Sequence, residues 1–273
     1  MHRDVPPSMP SVATRWGGAP TTGRCHHLLA GASSAIKPDL VLTAHGSKDP
    51  RSAANARAVA DAVSRRRPDL RVRLAFLDHD SPSLVDVLGT LDRPAVVTPL
   101  LLANAYHARV DIPAQIANCG VMQRIRQAPV LGEDDRLVSV LRERVTQLGL
   151  SRLDDGLGVL VAAIGTSDLA VNARTGKVAP KLLAGTAWVG ATTAFASQQE
   201  RSLAEGLGRL RRQGARRVVI APWFLAPGRL PDRVQRFADK TGIDMAAPLG
   251  SHRWVAETVL DRFTAAAVEP VAA

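Results

Sequence analysis

From Asp39 onward, short apolar runs alternate with longer stretches in which apolar residues recur every third or fourth position. LVLTAH, Leu40 to His45, is closed by a glycine and has the form of a strand buried on both faces. The next stretch, Asp49 to Leu70, sets Ala54, Ala58, Val59, Ala62 and Val63 at helical spacing with Pro68 beyond its end, which predicts a helix. Val72 to Leu77 reads as a second strand, Pro82 to Leu91 as a helix with proline in its first turn, and Ala95 to Leu102 as a third strand. Asp111 to about Arg126 is expected to be helical, Pro129 to Leu131 a short strand, and Asp134 to Leu148 a helix. Strands alternating with helices in this way predict βαβ units and a mostly parallel sheet.

After RLDDGLG the pattern starts again. GVLVAAIGTSD echoes LVLTAHGSKD, AFASQQERSLAEGL echoes AFLDHDSPSLVDVL, VVIAPWFLAPGRLPDRV echoes VVTPLLLANAYHARVDI, and PLGSHRWVAETVL echoes VLGEDDRLVSVLRERV. The matches keep their order at displacements of 118 to 123 residues, the mark of an internal duplication. The expected architecture is therefore α/β, with two tandem Rossmann-like three-layer domains at 38–150 and 156–267. Residues 1–37 are rich in Pro, Ser, Gly, Thr and Ala, too poor in large apolar groups to offset the entropy of ordering, and are expected to be a disordered extension. Cys25, His26 and His27 lie inside it and are read as an incidental cluster rather than a metal tract.

Composition narrows the partners. The chain has 273 residues, 46% of them hydrophobic, enough for a sizeable core. Lys and Arg number 35 against 25 Asp and Glu, and a net charge of +10 concentrates anions near any cleft it lines. Nucleic acid is not expected, because only 4% of residues are aromatic and no basic run interleaved with Phe or Tyr occurs. Two cysteines make neither a disulfide framework nor a cysteine-rich metal site, which fits a reducing, cytoplasmic setting. No apolar run approaches the roughly 18 residues needed to cross a bilayer, and no signal-peptide pattern stands at the start.

Open parallel sheets bind ligands beyond the carboxyl ends of their strands. Three polar residues of the first half fall there: His45 after strand one, Asp78 after strand two, and His107 in the loop after strand three. His79 and Asp80 flank Asp78 and are read as surface residues, with Asp78 the member pointing inward. Alignment with the second half places Gly165, Ser197 and Arg229 at the three positions. The strands survive in the copy while the polar groups do not, so the groups serve something other than the fold.

The stretches AHGSKDPRSAANA, AFLD with SPSL, and PLLLANAYHARVDIP together resemble the sirohydrochlorin chelatases, the CbiX-like group of class II chelatases that insert a divalent metal into a tetrapyrrole. The resemblance covers Asp39 to about Leu148 closely, and Gly158 to about Ala265 as a degenerate second half. It implies that His45 and His107 handle the metal and that Asp78 stands where the family usually has Glu. The usual glycine before the second histidine is replaced in NAYH. Lys48, Arg51 and Arg109 flank the expected rim and are the candidates for gripping the carboxylates of the implied macrocycle, while Ser47 could bond one of them but is better suited to cap the following helix. Neutral imidazoles bind borderline ions such as Fe²⁺ and Co²⁺ reversibly and accept protons near pH 7, while a carboxylate assists through its charge. The implied activity is that of a lyase inserting Fe²⁺ into sirohydrochlorin for sirohaem, or Co²⁺ toward cobalamin, in a cleft between the halves. No cofactor beyond the substrate metal is implied, and a monomer or homodimer would serve. A non-catalytic tetrapyrrole or metal carrier is the rival; a phosphoryl-transfer site would need a second histidine motif that the chain lacks.

Overall fold

A computed structural model describes residues 37–120 and 124–268. Apart from Lys37, the expected extension with Cys25, His26 and His27 lies outside the described residues. Two four-stranded sheets are present, ordered β2-β1-β3-β4 and β6-β5-β7-β8, and every strand pair is parallel. The first contains β1 (Asp39–Ala44), β2 (Val72–Phe76), β3 (Ala95–Pro99) and β4 (Ile125–Gln127); the second contains β5 (Leu157–Ala163), β6 (Gly190–Phe195), β7 (Arg217–Pro222) and β8 (Asp244–Met245). The identical order bears out the duplication. Leu42 sits between Leu74 and Thr98, as Leu160 sits between Thr192 and Ile220 in the copy.

The period-two geometry of a strand explains why β1 is apolar throughout. Leu40 and Leu42 face one core with Ala53, Ala56, Val59 and Val63 of α1 (Pro50–Arg66). Val41 faces another, with Leu84, Val87 and Leu88 of α2 (Leu84–Gly89) and Ile112 and Ile116 of α3 (Ile112–Asn118). Asp49 starts α1 by accepting from the Arg51 backbone N–H, with Pro50 in the first turn. Ser83 does the same for α2 through the Asp86 N–H, so that helix begins later than the proline predicts.

Two expectations are corrected. The helix expected to reach Arg126 ends at Asn118, because Gly120 takes a left-handed φ of +70°. The fourth strand is Ile125–Gln127, not Pro129 to Leu131. Ala128 and Leu131 still donate to Val97 and Leu101 carbonyls, but Pro129 has no N–H and interrupts the ladder between them.

The halves exchange their last helices. α4 (Asp135–Thr146) follows the first sheet yet packs on β7 of the second, whereas the final helix, α9 (Arg253–Val268), packs on α1, β3 and β4 of the first. One hydrophobic core consequently runs through both halves, from Leu40 and Val96 to Val159 and Val219. Matching arginines fasten the exchange. Arg144 donates to the Pro248 and Leu249 carbonyls, each at 3.1 Å. Arg262 donates to the Val130 and Leu131 carbonyls at 3.1 and 2.9 Å. Charge-assisted hydrogen bonds of this kind contribute about 1.5–3 kcal/mol. Arg144→Ala and Arg262→Ala are each expected to lose about that much stability by denaturant titration; a loss below about 0.5 kcal/mol would show that the arginines do not hold the exchange.

Candidate metal-chelation site

The site begins where β1 and β2 run past their sheet. Leu77 and Asp78 donate backbone N–H groups to the Ala44 and His45 carbonyls at 3.0 and 2.9 Å, which carries the pairing into the loops. Gly46 makes this approach possible: its φ is +90°, and a Cβ there would lie 1.7 Å from the Asp78 carbonyl oxygen. The next turn is tied by Asp80, whose carboxylate accepts from the Ser47 N–H at 2.9 Å, and by Ser47, whose hydroxyl accepts from the Asp49 N–H at 3.1 Å. Ser47 thus closes the turn ahead of α1 and leaves the capping role expected of it to Asp49, and Asp80 fixes the histidine-bearing loop rather than merely flanking it.

His107 opens a π-helical turn, His107–Asp111, of the kind that often marks functional positions. The turn brings Asp111 onto the face of His107, and the His107 Nδ1 meets the Asp111 carboxylate at 2.5 Å. The His45 Nδ1 meets the Gly46 carbonyl at 2.9 Å. Both partners are oxygens that only accept, so Nδ1 carries the proton in each neutral ring and Nε2 keeps its lone pair. The ring centroids are 4.1 Å apart, edge to face at 75°. Residues distant in sequence have been brought together, and among the described residues neither Nε2 has a hydrogen-bond partner.

Asp78 stands at the same rim but is turned to its neighbour: its carboxylate accepts from the His79 backbone N–H at 2.7 Å and lies 3.3 Å from the His79 Nε2. The His79 ring is 6.4 Å from that of His45. Among the described residues, no group of three His, Cys, Asp or Glu side chains is disposed around one metal position. The histidine pair is therefore assembled, with Asp78 alongside. Sequence reasoning missed Asp111, whose signal is the four-residue spacing after His107 on a helical turn, and it set aside His79 and Asp80.

The expected carboxylate-gripping residues surround the pair. Lys48 is exposed on the His45 loop. Arg51 is bracketed by Asp49 and by Asp232 of the second half, at 2.6 and 2.5 Å, and Arg109 meets Asp168 of the second half at 2.6 Å. The hydrogen bond from Arg51 holds the Asp49 carboxyl down at about 2, and that from Arg109 lowers Asp168. The copy's counterpart of His45 needs correcting. Ser197 donates to the Ile164 carbonyl as Asp78 does to that of His45, and Gly165 shares the left-handed backbone of Gly46. Ile164, not Gly165, occupies the His45 position. It is exposed, as are Leu169, Tyr106 and Val110; the Tyr106 ring lies 6.2 Å from that of His107, and Val110 shares the His107–Asp111 turn. A separate cavity of about 500 Å³, lined by Glu200, Arg201, Arg233 and Arg236, lies on the second half and contains neither histidine.

Known proteins share this plan. The sirohydrochlorin ferrochelatase of Priestia megaterium is 28% identical over 222 residues, covering 76% of this chain and 82% of that one. The sirohydrochlorin cobaltochelatase of the same organism is 26% identical over 210 residues, covering 72% and 67%. The structure of SirB from Bacillus subtilis with Fe3+ has the same fold, with a TM-score of 0.74 at 21% identity over 85% of this chain and 96% of that chain. The CbiX family model matches twice, at residues 39–148 and 158–266. The chain belongs to the CbiX family and carries the family's unit in tandem, with the paired histidines in the first copy alone.

Proposed function

We propose that this protein is a sirohydrochlorin chelatase, a lyase that inserts a divalent metal, Fe²⁺ first, into the macrocycle in sirohaem biosynthesis. The observation that carries the reading is the pair of imidazoles 4.1 Å apart, each with Nδ1 committed to an oxygen acceptor. Two such nitrogens take a borderline cation from water and release it again, which a chelatase requires of its substrate metal. Asp111 fixes the His107 ring through Nδ1, which presents Nε2 to the metal and to the pyrrole protons that leave as the metal enters. Asp78 swings from His79 to supply negative charge beside the ion and favour proton departure. The exposed apolar residues Tyr106, Val110, Ile164 and Leu169 suit the flat face of the ring. Lys48, Arg51 and Arg109 suit its carboxylates, with Ser47 holding the turn between them.

Fe²⁺ and Co²⁺ accept the same ligands, so the residues do not choose between them. Identity and coverage are slightly greater for the ferrochelatase, which favours iron. Work in the reducing cytoplasm fits the cysteine usage, and among the described residues no helix is long and apolar enough to cross a membrane.

The test is an anaerobic assay of purified protein with sirohydrochlorin and Fe²⁺ or Co²⁺, followed by the absorbance change on metallation. Insertion faster than the protein-free reaction is expected. Binding without acceleration would make the protein a carrier instead. Asp111→Ala is expected to weaken metal affinity by about 10–100-fold, the usual cost of removing the group that orients a ligating histidine; a metal titration giving the wild-type affinity would remove Asp111 from that role.

A further inference from the structure

Two ion pairs that join the halves beside the histidine-bearing segments have the same polarity. Arg51 and Arg109 come from the half with the histidines, and Asp232 and Asp168 come from the copy. Arg51 lies in the first turn of α1, six residues after His45, and Arg109 is two residues after His107. The geometry is repeated in both directions. The start of α1 meets the start of α8 (Arg229–Thr241), and the N-cap of α5 (Leu169–Gly176) meets the π-helical turn before α3.

We propose that Asp168 and Asp232 are specificity-determining residues: they occupy Arg109 and Arg51 in the ligand-free cleft and yield them to carboxylates of the entering macrocycle. This rests on the chelatase reading above. Each ion pair is built to exchange. Asp49 holds the Arg51 fork within its own half, at 3.0 Å to Nε and 2.6 Å to NH2, so the guanidinium keeps its place when Asp232 leaves. Asp168 caps α5 with Oδ1, accepting from the Ala170 and Val171 N–H groups at 2.9 and 3.2 Å, and spends only Oδ2 on Arg109. Loss of that arginine leaves the cap intact. All four side chains are partly exposed, where an ion pair is weak and water and salt compete for it.

Holding the halves together does not require these pairs, because the exchanged helices and one continuous core already do so. Their effect falls on ligands. A ring without carboxylates at both places leaves the arginines with their internal partners and gains nothing from them. A polycarboxylate ring replaces both aspartates and gains two bidentate contacts. The degenerate half thereby keeps a part in recognition after losing the histidines.

The experiment is a titration of metal-free protein with sirohydrochlorin, read by absorbance and fluorescence, for wild type, Asp168→Asn and Asp232→Asn. Asparagine keeps the capping oxygen and removes the charge. Each variant is expected to bind about 2- to 5-fold tighter, the fold-change matching release of one exposed ion pair. Arg51→Gln and Arg109→Gln are expected to weaken binding by a similar factor. Adding Asp232→Asn to Arg51→Gln should then give no further gain. Equal or weaker binding by both aspartate variants overturns the inference, and if wild-type insertion persists the chelatase reading stands. Wild-type protein that neither binds nor metallates sirohydrochlorin overturns both.

Discussion

His107→Ala is expected to reduce metal insertion into sirohydrochlorin by at least about 100-fold, and His45→Ala to do the same, with circular dichroism and melting temperature close to wild type. The expectation of separate effects on activity and fold comes from the packing. The His45 ring bonds only to its neighbouring Gly46 carbonyl, and the His107 ring to Asp111 on its own helical turn. Neither imidazole belongs to a buried core, so truncation opens no cavity. On the proposal that both nitrogens act on one ion, the double variant should lose little more than either single one, as groups that act as a unit do. Full activity in either single variant would remove the histidine pair from the chemistry.

Gly46→Ala is expected to destabilise the protein by more than about 3 kcal/mol, lowering the melting temperature by roughly 6–12 °C for a chain of this size. Two penalties fall on one atom. The backbone is left-handed at +90°, and the new methyl would sit 1.7 Å from the Asp78 carbonyl oxygen, which accepts from the Asp80 N–H while the Asp78 N–H pairs with the His45 carbonyl, so it cannot retreat alone. Gly120→Ala is the control, since φ there is +70° but among the described residues nothing lies within 4 Å of the added carbon, leaving strain of about 1 kcal/mol. Equal melting temperatures for the two variants would refute the role of the close contact. Because Gly46 directly follows His45 and the displaced carbonyl is that of Asp78, insertion activity should fall with stability in Gly46→Ala.

Much of this was legible because it is local. Apolar runs ending in glycine located β1 and β5, and the repeat in sequence reappears as two sheets of the same strand order. His45 and His107 could be placed on one rim since strand ends in a parallel sheet share an edge. The errors arose where a single-residue choice depends on tertiary contacts. Aligning Ser47 with Ser167 put Gly165 opposite His45, whereas the left-handed glycines and the backbone bonds to Asp78 and Ser197 align Ile164 with it. Pro129 to Leu131 has a strand's apolar character, yet the missing N–H leaves the ladder to Ile125–Gln127. The helix exchange left no readable sign, because Arg144 and Arg262 reach carbonyls 104 and 131 or more residues away. Likewise, Arg51 and Arg109 were found as cations near the site, but their aspartate partners lie in the other copy.

The exchanged helices also impose an order on synthesis. The β3–β4 part of the first sheet's α1 face, which carries Val96, lacks its α9 cover on the ribosome until that helix, which ends at Val268, has emerged, although every residue of the histidine site is translated much earlier. The nascent first half therefore presents a bare apolar surface for most of its time as an emerging chain, and chaperone occupancy during translation should peak over that interval and drop once the last helix docks.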